Sequence, residues 1–172
     1  MVDTEQKVNL GIFSGLSEEV VKELTKDLER IEINKGEAII TEHSLGENLF
    51  YICKGKVEID KGLTNPETHF AQLSTLEAGD FFGEMGIIDD CPRSASVVAL
   101  EDVELIVIPR EAFNEMLFAY PVIMLNLTRA ISRRLRNTNE RLVELIDEML
   151  EKNRLMAIGL AASKIIHDIK TP

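Results

Sequence analysis

The sequence predicts a mainly β protein with flanking helices: an antiparallel sandwich or barrel followed by one long C-terminal helix. Three observations carry this. From about Glu32 to Ile108 apolar residues recur with period two, and glycines break the run at Gly36, Gly46, Gly55, Gly62 and Gly79, the pattern of short strands joined by turns. Ahead of that run the apolar spacing is helical. After Pro121 no glycine or proline interrupts the chain until Gly159 and the terminal Pro172, so a single helix can run through.

The elements follow in order. Ser17 can cap a helix whose first turn carries Glu18 and Glu19, carboxylates suited to its positive end. Val20, Val21, Leu24 and Leu28 give that helix one apolar stripe. The strand segments then read IEI, AIITE, LFYICKG, KVEID, FAQLSTL and SVVALEDVELIVI, which together make a sandwich or barrel. Pro109 ends the last of them. REAFNEMLFAY is a short helix stopping at Tyr120, before Pro121 opens the long one, a position where proline is well tolerated. Along the long helix Thr128, Ile131, Leu135, Thr138, Leu142, Leu145 and Met149 alternate at spacings of three and four. That is a heptad seam, so the helix is expected to pair with its copy in a homodimer.

Composition bounds the class. With 172 residues, 45% of them hydrophobic, the chain can bury one fair-sized core and carry an appendage. No run has the apolar length of a spanning helix, and the start, MVDTEQK, has neither region of a signal peptide. The expectation is a cytoplasmic protein without a membrane role. A net charge of −11 argues against a duplex-DNA surface, and the basic cluster Arg129 to Arg136, followed by acidic residues, reads as a solvated helix face. Cys53 and Cys91 fit no metal spacing and no disulfide framework, and His43, His69 and His167 make no zinc set. No metal or catalytic cofactor is expected.

One stretch, FGEMGIIDDCPRSASV from Phe82 to Val97, carries the chemistry. Gly83 has no side chain to obstruct approach to the backbone amides of Phe82, Gly83 and Glu84. Met85 to Ile88 is long enough for one helical turn whose first amides point outward. Arg93 adds a planar, permanently charged fork suited to two phosphate oxygens, and Pro92 fixes the approach of the loop. The expected guest bears a phosphate. Glu84 is itself an anion, so its partner is a neutral hydroxyl of the same ligand, and a ribose hydroxyl fits.

FGE, then Met-Gly-Ile, then Pro-Arg-Ser-Ala-Ser resembles the phosphate-binding cassette of cyclic-nucleotide-binding domains of the catabolite-activator and protein-kinase-A-regulatory type. The resemblance covers about residues 10 to 140 and implies an antiparallel, jelly-roll-like β-roll in a domain over 1–140, while the heptad seam makes 141–172 a coiled-coil signalling helix. It implies that Gly83, Glu84 and Met85 bracket the sugar and phosphate, with Glu84 bonding the ribose 2′-hydroxyl. Arg93 would hold the cyclic phosphate, helped by the hydroxyl or amide of Ser94 and the amide of Ala95. RRLRNTNERL is similar to the catabolite-activator segment where a threonine, followed by a serine, meets the adenine base. By that match Thr138 bonds the base, and Asn139 stands where the serine would reach across the dimer. A hydroxyl after the arginine, here Ser94, favours guanine in some relatives, whereas Thr138 tilts toward adenine. The implied ligand is cAMP, ahead of cGMP.

The end of the chain, GLAASKIIHDIKTP, resembles the phospho-accepting H-box of sensor histidine kinases. His167 is followed by Asp168 where Glu is commoner, and Lys170, Thr171 and Pro172 fit. Leu155, Ile158, Ala162, Ile165 and Ile169 form a stripe from which His167 is turned away, by roughly 200° from each of the last two. This stripe is out of phase with the earlier seam, and the shift falls between Met149 and Leu155. In the catabolite-activator family a helix-turn-helix domain would follow the central helix. Here the residues from about Glu140 onward read as one continued helix, leaving no room for a DNA reader. A chain stopping at the proline of this box would be the N-terminal part of a longer histidine kinase. No ATP-binding glycine loop, metal set or nucleophile–base pair is recognisable, so a non-enzymatic sensor module is expected. A ligand-free dimerisation scaffold and a haem or redox sensor of the same fold are the alternatives.

Overall fold

The computed structural model describes residues 11–62 and 70–170, with side chains described over 11–62 and 73–158. The chain divides into two compact units, Met1–Ala130 and Ile131–Pro172. In the first, α1 (Glu18–Thr25) begins where Ser17 Oγ accepts the Val20 amide at 3.4 Å. Val21, Leu24 and Leu28 pack against the core. The helix itself stops at Thr25, whose buried hydroxyl donates to the Val21 carbonyl.

Eight strands follow: β1 (Arg30–Ile33), β2 (Ala38–Ile40), β3 (Asn48–Lys54), β4 (Lys56–Gly62), β5 (Phe70–Glu77), β6 (Phe81–Phe82), β7 (Ser96–Ala99) and β8 (Val103–Pro109). They form two four-stranded antiparallel sheets, ordered β1-β8-β3-β6 and β2-β7-β4-β5. Between β6 and β7 lies α2 (Glu84–Ile88), and α3 (Arg110–Ala119) follows β8 directly.

Period two fails along VELIVI because the first sheet is covered on both faces. Val103, Leu105 and Val107 of β8 join Phe50, Ile52 and Phe82 against Ile40, Val57, Leu76, Val97 and Ala99 of the second sheet. The alternate residues Ile106 and Ile108 join Leu49 and Phe81 under Ile12, Phe13, Phe113, Met116, Ile123 and Leu127. Consecutive Phe81 and Phe82 therefore enter opposite cores, each burial stabilising the fold by about 1.5–3 kcal/mol.

Two features depart from the sequence reading. SVVALEDVELIVI is not one strand: it breaks at Leu100–Asp102 into β7 and β8, which belong to different sheets. The break is stabilised where the Asp102 carboxylate accepts the Lys35 amide at 2.9 Å and the Leu100 amide donates to Lys56 at 2.9 Å. Phe81–Phe82 is a strand of its own, paired to Tyr51 and Phe50.

The long helix α4 (Pro121–Lys170) is continuous for 50 residues. Its first turns are fixed within the first unit by Asn126, whose amide donates to the carbonyls of Ile12 at 3.1 Å and Ser14 at 2.6 Å. Among the described residues no helix is long and apolar enough to cross a membrane. His69, Thr171 and Pro172 lie outside the described residues. His167 and Asp168 lie in α4, with side chains outside the described ones.

Candidate functional site

The site is an insertion between the two sheets. β6 anchors its start in the first sheet, and β7 anchors its end in the second. Gly83 is the N-cap of α2 at φ 84°, a left-handed conformation that glycine adopts without steric cost. A Cβ there would also stand 2.8 Å from Arg93 Nη1 and 2.9 Å from the Asn48 carbonyl. After α2 the chain turns back through Asp90 at φ 52° and reaches Arg93. The Arg93 amide donates to the Ser44 carbonyl, and the Arg93 carbonyl accepts the His43 amide, both at 2.9 Å. The returning loop is thereby fastened to the β2–β3 connection.

Arg93 points inward. Its residue is 6% exposed and that of Glu84 7%, so neither side chain stands on the surface of the loop. Nη1 donates to the Gly83 carbonyl at 2.7 Å and Nη2 to the Asn48 carbonyl at 2.8 Å. A guanidinium has five N–H donors in a fixed fork, more than these two carbonyls take up. Burial pulls the Arg93 pKa below its ordinary value, while the Glu84 carboxylate pulls it the other way. An arginine stays charged under such a load, so the loop holds a fixed buried cation at one end of α2.

The other expected residues fall around this pair. Phe82 is buried and stacks on Phe50, ring centroids 5.2 Å apart, so its side chain belongs to the core and only its backbone can face a ligand. Met85 and Ser94 are exposed, and the Ser94 hydroxyl rests 3.5 Å from the Met85 sulfur. Sulfur is a weak acceptor, which makes that hydroxyl easy to redirect. Ala95 is half-buried beside it. Thr138 and Asn139 belong to the second unit, where both are exposed and Thr138 Oγ1 donates to the Arg134 carbonyl at 2.9 Å.

Sequence reasoning missed several supports. Gly46 reads only as a turn residue and Gly86 only as part of the Met-Gly-Ile motif, yet a Cβ on Gly46 would meet Arg93 Nη2 at 2.5 Å, and one on Gly86 would meet the Gly46 carbonyl at 3.0 Å. Lys61, at the end of β4, donates to the Ser94 carbonyl at 2.9 Å and lies 3.4 Å from Glu42. The Gly62 amide donates to Glu42 at 2.9 Å and holds its carboxyl below the ordinary range, with Lys61 and His43 adding to this and burial opposing it. A charge pattern could have flagged Lys61. The backbone carbonyls that receive Arg93 carry no sequence signal.

A two-layered β-roll with a buried guanidinium on an inserted loop is the class of domain suited to a small anionic ligand. The family model for the cyclic nucleotide-binding domain matches residues 30–120, more than half of the chain, and the chain belongs to that family. It is 33% identical over 136 residues to the CRP-like cAMP-activated global transcriptional regulator of Mycobacterium tuberculosis, covering 79% of this chain and 60% of that protein. It is 34% identical over 108 residues to human cGMP-dependent protein kinase 2, covering 62% of this chain and 14% of that one. The crystal structure of Thermus thermophilus catabolite activator protein superposes with a TM-score of 0.69 at 32% identity, over 78% of this chain and 62% of that chain. The chain spans about three-fifths of the length of the CRP-like relatives it matches.

Proposed function

We propose that this protein is a cytoplasmic cyclic-nucleotide sensor, for cAMP ahead of cGMP, that relays occupancy through a paired long helix to a histidine kinase. The observation that carries the ligand reading is the inward Arg93 guanidinium, with donors to spare, beside the buried Glu84 carboxylate on one short loop. In this reading Arg93 takes the cyclic phosphate and Glu84 the ribose hydroxyl. The amides of Gly83, Glu84 and Ala95, with the Ser94 hydroxyl, complete the grip, and Thr138 with Asn139 meets the base. One relative is named for activation by cAMP and another for dependence on cGMP, so the choice of nucleotide is made by titration. Calorimetry with each nucleotide, repeated on Arg93→Ala, tests the reading. Losing the fork should weaken binding by at least about 2 kcal/mol, because the ligand anion is left buried and unpaired. Unchanged affinity would put the guest elsewhere.

Pairing of α4 is supported by its exposed apolar seam. Leu135, Leu142, Leu145 and Met149 are each at least half exposed in the single chain, more apolar surface than a lone helix leaves in water. Sedimentation of Leu142→Glu/Leu145→Glu should give a monomer where the parent is a dimer. The chain itself is read as a regulator without catalysis, with His167 as phospho-acceptor. Acid-labile phosphate on His167, lost in His167→Gln, would support the kinase output. A transcriptional output, favoured by the name of the Mycobacterium tuberculosis relative, is the second reading.

A further inference from the structure

The second sheet is interrupted where the site loop rejoins it. β7 lies between β2 and β4, and its ladder with β4 runs from Val57–Ala99 to Asp60–Ser96 and stops there. Just beyond the other end, the Leu100 amide donates to the Lys56 carbonyl at 2.9 Å. Hydrogen-bonded pairs recur at every second residue of an antiparallel ladder. Lys56 with Leu100, Glu58 with Val98 and Asp60 with Ser96 are therefore of that kind. The next pair in the series is Gly62 with Ser94, the residue after Arg93.

That rung is replaced by side chains. The Gly62 amide donates to the Glu42 carboxylate at 2.9 Å, and the Ser94 carbonyl accepts from the Lys61 ammonium at 2.9 Å. The ammonium and the carboxylate lie 3.4 Å apart. Glu42 comes from the connection after β2, and its own amide donates to Ser96 Oγ at 3.0 Å. Its side chain is 12% exposed against 51% for Lys61, so the carboxylate is the fixed member of the pair. A neutral backbone bond is thereby exchanged for two charge-assisted ones, each roughly twice as strong. The pair spans from the end of β2 to β4 at the point where the strand between them leaves the sheet.

A cation on a peptide carbonyl acts on the far side of that peptide. The Ser94 carbonyl and the Ala95 amide belong to one planar, conjugated unit. Electron density drawn toward the oxygen makes the N–H a stronger donor, as in hydrogen-bond chains whose members polarise one another. We propose that Lys61, anchored by Glu42, is a positioning residue for nucleotide binding: it holds the Ser94–Ala95 peptide off β4 and strengthens the Ala95 amide as a donor to the phosphate. The proposal rests on the cyclic-nucleotide reading of the site.

It is tested by calorimetry with cAMP and cGMP on the whole chain and on Lys61→Met, Lys61→Arg and Glu42→Gln, with the Ala95 amide proton followed by NMR through each titration. The parent should bind, and its Ala95 amide should move downfield as the phosphate arrives. Lys61→Met should bind about two- to thirtyfold more weakly and show a smaller shift, and Lys61→Arg should restore both. Glu42→Gln releases the ammonium from its anchor and should also weaken binding. A Glu42→Gln chain that binds as well as the parent or better overturns the proposal, because a cation acting on the phosphate by its field alone gains when its counter-charge is removed. So does a Lys61→Met chain with the parent's affinity and shift, or a Lys61→Arg chain as weak as Lys61→Met. If Lys61→Met does not fold, Glu42→Gln decides by the same readings. A parent that binds with its Ala95 amide unmoved overturns this proposal alone, whereas a parent that binds neither nucleotide overturns the ligand reading with it.

Discussion

A Cβ on Gly46 would stand 2.5 Å from Nη2 and 2.7 Å from Nε of Arg93, so the absence of a side chain at one residue sets the position of the guanidinium of the other. The far end of an arginine ordinarily yields, but this one is buried and bonded to the Gly83 and Asn48 carbonyls. Gly46→Ala must therefore displace the loop or pull Arg93 off Asn48. It should destabilise the protein by about 1–3 kcal/mol and weaken nucleotide binding. Urea unfolding and calorimetry read the two effects, and a variant unchanged in both would show that the guanidinium can move without cost.

Gly36 and Gly55 form a matched pair for separating conformation from contact. Both hold left-handed backbone, φ 86° and 92°. A Cβ at Gly36 meets nothing within 4 Å, whereas one at Gly55 meets the Asp102 carbonyl at 2.6 Å. Gly36→Ala should lose about 1–2 kcal/mol, the conformational cost alone, and Gly55→Ala about 1–3 kcal/mol more. Equal losses in denaturant titrations would count against the contact.

Asn126 joins α4 to the segment before α1 through two carbonyls on one amide. Asn126→Ala leaves the Ile12 and Ser14 carbonyls without that donor and should destabilise the fold by about 1–3 kcal/mol. Limited proteolysis should then cut earlier near residues 11–16. An unchanged digestion pattern would mean the apolar packing of Ile12 and Phe13 suffices.

Much of this arrangement is legible in the sequence, and what is not has a physical cause. Ser17, Pro109 and Pro121 mark their helix ends because capping and proline geometry are local properties. Gly83, Glu84 and Arg93 stand out because residue type and spacing together identify them. The split between β7 and β8 is hidden because Leu100, Glu101 and Asp102 form no glycine or proline turn; the bend is held by a carboxylate and a distant amide. Two residues of β6 are too few to show a period. The β3 and β8 runs lose their alternation because both faces are covered, a fact of tertiary packing. Arg93 could be recognised as an anion partner, but not its two carbonyl acceptors, since every residue has one.

Glu42 gives the fold a pH dependence of definite sign. The Gly62 amide, ahead of Lys61 and His43, lowers its carboxyl in the folded chain. A group that titrates lower when folded contributes its full stability above the ordinary carboxylate range and loses it as pH falls through the depressed folded value. The melting-temperature gap between the parent and Glu42→Gln should thus be constant near neutrality and shrink on acidification. A gap independent of pH would show that the ionised form is not what joins β4 to the β2–β3 connection.

The loop from Gly83 to Ala95 leaves one layer of the roll and enters the other: Phe81 and Phe82 pair with Tyr51 and Phe50, while Ser96 and Val97 pair with Asp60 and Ile59. A guest gripped by that loop would act as a suture across the two layers, sharing its binding free energy between them. Heat should then part them together in a single transition, with a midpoint that climbs with nucleotide concentration by mass action.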